Sequence, residues 1–350
     1  MKADLVAYAH SLGFSLCRTT PCVTPPHAQE FRDWLADGRA GEMEWLHRNA
    51  DRRTNPQLVL PGAQTAIVLA INYFTTPPPH SPPSPSYQIA RYAWGDDYHD
   101  LLTAKLRQLD LWLSQRGGQQ RFYVDTGPIL ERDFAALAGI GWHGKSTMLI
   151  HPSLGAWFFL AELLTTLPFP ADPPLPDRCG KCSRCITACP TNAITAPHQL
   201  DARLCISYLT IELKGSIPIH LRHLIGDRIY GCDDCAAACP WNRFAQASTE
   251  VTFAARDFVH SYQLRDFLSL DSLTFNSLFK NSPIKRIKRR GFLRNVCVAL
   301  GNVGTPSDLP ALTVASLDPE PLIAEHASWA ITQIHARFPS TPLPNSPPSP

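Results

Sequence analysis

Two cysteine runs have the spacing of electron-transfer ligands: Cys179-x-x-Cys182-x-x-Cys185-x-x-x-Cys189-Pro190 and Cys232-x-x-Cys235-x-x-x-Cys239-Pro240. In the first, one short loop can converge three thiolates on a 4Fe–4S cube, while the fourth cysteine, followed by proline, turns away to a second cluster. By that crossing rule Cys179, Cys182, Cys185 and Cys239 hold one cluster. Cys189, Cys232 and Cys235 then need a fourth ligand, and the position a regular ferredoxin repeat would use is Ile229. Cys205 is the remaining thiol nearby, and Leu200, Leu204 and Leu209 around it predict that it lies on a helix. Paired Cys-x-x-Cys also suits tetrahedral zinc, but the three-residue gap and the closing Cys-Pro of both runs favour clusters. Such a protein moves electrons one at a time. Cys17, Cys22 and Cys297 read instead as buried thiols.

Two further segments could do chemistry. Gly139-Ile-Gly141-Trp142-His143-Gly144-Lys145-Ser146 satisfies both G-x-G-x-x-G and G-x-x-x-x-G-K-[ST]. Both phosphate-binding mechanisms need a strand entering the glycines and a long helix leaving them. Here the preceding stretch, Ile129 to Ala138, has helical spacing, and Pro152 follows Lys145 too soon for a long helix. Nucleotide hydrolysis is therefore not expected, although the loop amides and Lys145 could cradle another phosphate. Upstream, Asp125 sits in Tyr123-Val124-Asp125-Thr126-Gly127-Pro128, where a strand meets a helix expected to begin at Pro128. It is either a turn-forming aspartate or a proton donor set in a cleft.

The elements that must position these residues follow from hydrophobic period. Apolar runs at Ala66 to Tyr73, Arg121 to Val124 and Met148 to His151 read as strands, and Tyr98 to Leu113 as an amphipathic helix. The expected class is α+β or α/β and multidomain: residues 1–170, a cluster domain at 171–250, a helical region at 251–338 and a disordered tail at 339–350. Thr75 to Ser86 reads as a structureless loop and Leu167 to Asp177 as a stiff linker. From Ser282 the pattern is helical, and Arg294-Asn295-x-x-Val298-Ala299-Leu300 recurs as Glu325-His326-x-x-Trp329-Ala330-Ile331, resembling a HEAT-type repeat. Net charge is only +2, so a nucleic-acid partner needs a local basic patch. No apolar run approaches a membrane span. Eleven cysteines without a recognisable export signal point to reduced, metal-bound thiols in the cytoplasm.

Together these pieces resemble the epoxyqueuosine reductase family. The matching segments are Arg91 to His99 (RYAWGDDYH), Tyr123 to Pro128, Gly141 to Lys145, both cysteine runs, Ser207 to Glu212 (SYLTIE) and Arg294-Asn295-x-x-x-Ala299-Leu300-Gly301-Asn302. The resemblance covers about residues 5 to 335. It implies an N-terminal domain binding base-off cobalamin, a ferredoxin-like domain with two 4Fe–4S clusters, and reduction of epoxyqueuosine at the tRNA wobble position to queuosine. It also implies Asp125 as proton donor, with Lys145, Ser146 and His143 at the cobalamin. A low-potential electron donor is required, and the chain is expected to act as a monomer without a membrane. The expected tRNA handle is Lys285, Arg286, Lys288, Arg289, Arg290 and Arg294, with Lys214 near the active-site mouth. A second basic strip is Arg48, Arg52 and Arg53. The alternative reading is a corrinoid enzyme resembling the reductive dehalogenases.

Overall fold

The computed structural model describes residues 1–75 and 87–339. The expected proline-rich loop therefore falls almost wholly outside the described residues, as does the tail. At the centre of the N-terminal part is a four-stranded sheet, ordered Leu16–Pro21, Thr65–Asn72, Phe158–Thr165, Gln120–Tyr123, with every neighbouring pair antiparallel. This makes the class α+β. Thr65–Asn72 is buried at all eight positions because both faces of the sheet are covered. Alternate side chains serve opposite cores. Ile67, Leu69 and Ile71 pack with Leu102, Leu106 and Leu109 of helix Tyr98–Ser114, whereas Ala66, Val68 and Ala70 meet Phe134, Ala135 and Ala138. The helix buries Leu102, Leu106, Leu109 and Leu113, an apolar stripe in helical register.

The expected linker at Leu167 to Asp177 has no regular structure but is not loose. Phe169 is buried, and Asp172 pairs with Lys2 at 2.9 Å and accepts from the Thr19 amide at 2.9 Å. Beyond the cysteine segment, helices Lys288–Val303, Leu309–Ala315 and Pro321–Arg337 pack together. The two halves of the recurring sequence place their polar pairs on one target, the segment 209–217. Asn295 donates to the carbonyls of Thr210 and Ile229, and His326 accepts from the Ile217 amide.

The regions interlock. Gln88–Ile89 pairs in parallel with Arg228–Tyr230, and Tyr87, Ile89 and Ala93 share one core with Phe292, Val296 and Ile323. Cys17, Cys22 and Cys297 are buried, as expected, and burial pushes each thiol up to about 12. Among the described residues, no helix is long and apolar enough to cross a membrane.

Candidate active site

Two short helices that pack together, Arg184–Ala188 and Asp234–Ala237, bring the cysteine runs to each other. Cys179, Cys182, Cys185 and Cys239 line one small cavity of about 60 Å³, with Lys145, Ser146 and Trp241 in its wall. Cys235 lies in the electrostatic reach of Cys205 and Cys189, with Cys232 beside it. Cys185 of the first group also reaches Cys235, so the two groups of sulfurs are neighbours. Among the described residues, no three cysteine sulfurs lie within 4.8 Å of one another. Cys205 is not on a regular helix: it ends the 3-10 turn Ala202–Leu204 in extended conformation, just before the π-turn Tyr208–Glu212. Two short turns of different pitch leave leucines at roughly helical spacing without a helix between them.

The glycine-rich segment is structural. Helix Glu131–Leu137 precedes it, and a hairpin of Trp142–His143 with Leu149–Ile150 follows. Gly139 has φ +76°, and a β-carbon there would strike the Pro173 carbonyl; one at Gly141 would lie 2.6 Å from the Ile150 carbonyl. These glycines admit the linker and the hairpin rather than a phosphate. Lys145 donates to the carbonyls of Gly180 (2.6 Å) and Cys182 (2.9 Å), steadying the first cluster loop with two of its three N–H groups. Ser146 is buried beside it. His143 turns towards Asp133.

Asp125 stands on the loop after strand Gln120–Tyr123, with φ +48°, and the helix expected from Pro128 begins at Glu131. The Tyr98 hydroxyl donates to one carboxylate oxygen, and His99 Nε2 lies 2.8 Å from the other. His99 Nδ1 is 2.7 Å from Asp97. Burial works against the imidazolium, yet the hydrogen bonds to Asp125 and Asp97 outweigh it and push His99 up to about 10. Tyr98 is itself stacked on Phe159 at 3.9 Å. Arg132, beside this group, is exposed and donates to the Thr147 carbonyl at 3.1 Å. Glu131, Cys235, Asp125 and Cys205 lie within its electrostatic reach. Burial, reinforced by the Asp125 charge, pushes the Glu131 carboxyl up to about 8. Tyr98, His99, Glu131 and Arg132 were not assigned from sequence. The first two lie in the matched segment at Arg91 to His99, where the pairing of a phenol with an imidazole was the available signal.

The basic residues separate into two kinds. Lys214, Lys285, Arg286, Lys288 and Arg290 are exposed, although Arg286 pairs with Glu212 at 2.7 Å. Arg294, expected to contact tRNA, is instead 1% exposed and donates to the carbonyls of Leu209, Leu213 and Gly215. Arg289 is likewise committed, to Asp318 and the Leu270 carbonyl. Arg53 of the second strip is half-buried and donates to the Ile129 carbonyl.

Comparison with known proteins identifies the family. Residues 53–126 match the epoxyqueuosine reductase QueG family, and residues 178–242 match a 4Fe-4S double cluster binding domain. The epoxyqueuosine reductase of Salmonella typhimurium is 41% identical over 95% of this chain and 88% of its own length. That of Xanthomonas campestris is 40% identical over 95% of both. A solved epoxyqueuosine reductase with a tRNA-Tyr epoxyqueuosine-modified stem loop superposes with a TM-score of 0.89 at 32% identity, covering 95% of this chain and 90% of that one. Likeness at this identity over nearly full length on both sides sets the dehalogenase alternative aside, and the chain belongs to the epoxyqueuosine reductase family.

Proposed function

We propose that this chain is an oxidoreductase that reduces epoxyqueuosine in the tRNA anticodon to queuosine, with Asp125 as the proton donor. Converting an epoxide to an alkene consumes two electrons and two protons and releases water, so the site needs an electron path and a proton source side by side. The observation carrying this reading is that Asp125, held by Tyr98 and His99, and two cysteines of the second group, Cys205 and Cys235, all lie within electrostatic reach of one residue, Arg132.

In this reading Cys179, Cys182, Cys185 and Cys239 hold one 4Fe–4S cluster and Cys189, Cys205, Cys232 and Cys235 the other. When bound, the clusters deliver electrons singly and base-off cobalamin supplies a strong nucleophile or reductant. The unpaired polar groups of this region fit such a cofactor chemically. Arg53 Nε, Glu131 Oε1 and Trp142 Nε1 are buried without hydrogen-bond partners, and groups of that kind are normally satisfied. The amide-bearing rim of a corrin would satisfy them, with Ser146 and the third N–H of Lys145 at its tail. Tyr98 and His99 hold the Asp125 carboxyl in place and set where its proton points. Cationic His99 keeps a replacement proton one hydrogen bond from Asp125. Exposed Lys214, Lys285, Arg286, Lys288 and Arg290 bind the tRNA backbone, the C-terminal helices forming a HEAT-like support. One structural neighbour at TM-score 0.87, from Bacillus subtilis, is described with its catalytic aspartate loop swung out of the active site. The left-handed backbone at Asp125 fits a loop with two arrangements.

The test is anaerobic reconstitution with iron, sulfide and cobalamin, followed by an epoxyqueuosine stem loop and a low-potential reductant. Queuosine is expected by mass spectrometry. Asp125→Asn should retain iron and cobalamin and lose about 10²–10⁴-fold in turnover. No queuosine from the fully loaded wild type overturns the activity, and near-normal turnover in the variant overturns the role of Asp125.

A further inference from the structure

Three residues converge on one point, and one of them, His143, was expected at the cobalamin and instead faces Asp133. His27 precedes helix Ala28–Ala36, Asp133 lies on helix Glu131–Leu137, and His143 lies in the Trp142–His143 hairpin strand. His27 Nδ1 is 2.8 Å and His143 Nε2 is 3.2 Å from the same oxygen, Asp133 Oδ1. The three ligand-type atoms all fall within 4.8 Å of one another. The two rings stand edge to face, 5.0 Å apart at 79°.

The hydrogen bonding of this group is incomplete in an informative way. Asp133 Oδ2 already accepts from the His27 amide at 3.0 Å, so Oδ1 alone faces the imidazoles. His143 Nε2 is buried and, despite its short approach, is out of alignment for a hydrogen bond to Asp133 and has no other partner. A buried imidazole nitrogen left without a well-aligned partner beside a carboxylate oxygen is free to share an ion with it. Tetrahedral zinc with ordinary bond lengths spaces its nitrogen and oxygen donors about 3.3 Å apart, close to the 3.2 Å of His143 and reached from the hydrogen-bonded 2.8 Å of His27 by a small outward shift. The supporting contact is also of the expected kind, since a ligating carboxylate is usually fixed by a hydrogen bond to its other oxygen.

We propose that His27, Asp133 and His143 bind one divalent transition-metal ion of the zinc class through two imidazole nitrogens and one carboxylate oxygen. Imidazole suits zinc and its neighbours better than magnesium or calcium. His27 has a side chain 54% exposed, which leaves a remaining coordination position open to water. Such an ion would tie the start of the first long connection, the helix behind Asp125 and the loop carrying Lys145 into one unit.

The test uses protein carrying both clusters, so that no cluster thiol is free, dialysed against chelator and titrated with zinc chloride. Wild type should bind one zinc per chain, with an absorption-edge fine structure of nitrogen and oxygen only near about 2.0–2.1 Å and no sulfur near about 2.3 Å. His27→Ala and Asp133→Asn should weaken binding at least about tenfold, while the exposed His220→Ala should not. Zinc should raise the melting temperature of wild type and not of His27→Ala. Metal-free His27→Ala should melt with metal-free wild type, which separates ligand loss from misfolding. Sulfur in the shell, no zinc bound by wild type, or equal affinity in His27→Ala overturns the site.

Discussion

At the scale of single residues, the environment of Asp125 is set by a histidine held between two carboxylates. The folded chain raises His99 to about 10 against an ordinary 6.5, so its charge stabilises the fold fully below about pH 6.5 and is lost as pH climbs towards 10. The melting temperature of wild type should therefore fall more steeply between pH 7 and 10 than that of His99→Gln, measured by thermal unfolding across that window. Parallel curves would mean that His99 is not held as a cation. These partners were poorly legible in the sequence for a physical reason. Tyr98 and His99 reach Asp125 from the first turn of a different element, 27 and 26 positions away in the sequence. Only the packing of helix Tyr98–Ser114 on the sheet, with Tyr98 stacked on Phe159, brings them there. The cysteines were legible because cluster ligation is imposed by short-range spacing within one loop.

At the scale of elements, the helix Lys288–Val303 opens with Lys288, Arg289 and Arg290, has no acidic residue in its first turn and has no side-chain cap. Cations at a helix N-terminus oppose the macrodipole, and unsatisfied amides there attract anions. An end that pays this penalty twice over is suited to a phosphate. The preceding turn Pro283–Ile287 adds Lys285 and Arg286 on the exposed side. Lys285→Ala and Lys288→Ala should each weaken tRNA binding and flatten the slope of log affinity against log salt by about 0.7–0.9. Arg294→Met should leave that slope unchanged and instead destabilise the fold by about 1–3 kcal/mol for each carbonyl it leaves unpaired. Filter binding at graded salt and denaturant unfolding separate the two effects; a flatter slope in Arg294→Met would return it to the tRNA surface. Sequence placed Arg294 in one basic run because charge does not reveal which side of a helix a residue occupies. The long strands and the helix from Tyr98 were readable from period alone, since burial on both faces or on one stripe writes itself into composition. The 3-10 and π-turns flanking Cys205 were not, because neither is long enough to establish a period.

At the scale of the whole molecule, the divisions at residues 170 and 250 separate motifs but not cores. Residues 87–94 leave the N-terminal sheet, pair with Arg228–Tyr230 and enter the C-terminal core. Tyr87 donates to the Phe258 carbonyl at 2.8 Å, and Ala236 and Phe253 belong to the core of the N-terminal sheet. The polar clamp from Asn295 and His326 ties the segment after Cys205 to both C-terminal helices. Each region thus supplies apolar surface that another region buries, and a fragment cut at either boundary would expose it to water at a cost of roughly 25 cal/mol per Å². A two-cluster module of about eighty residues has little core of its own to absorb that loss. Residues 171–250 produced alone should consequently fail to retain two clusters under conditions in which the full chain keeps both. The full chain, loaded with its clusters, should melt with the loss of cluster absorbance and of helical signal in one coincident transition. If the fragment holds both clusters as tightly as the intact chain, or if cluster loss and helix melting separate clearly, the three regions are independent domains and the interlocked core contributes nothing to holding the electron path together.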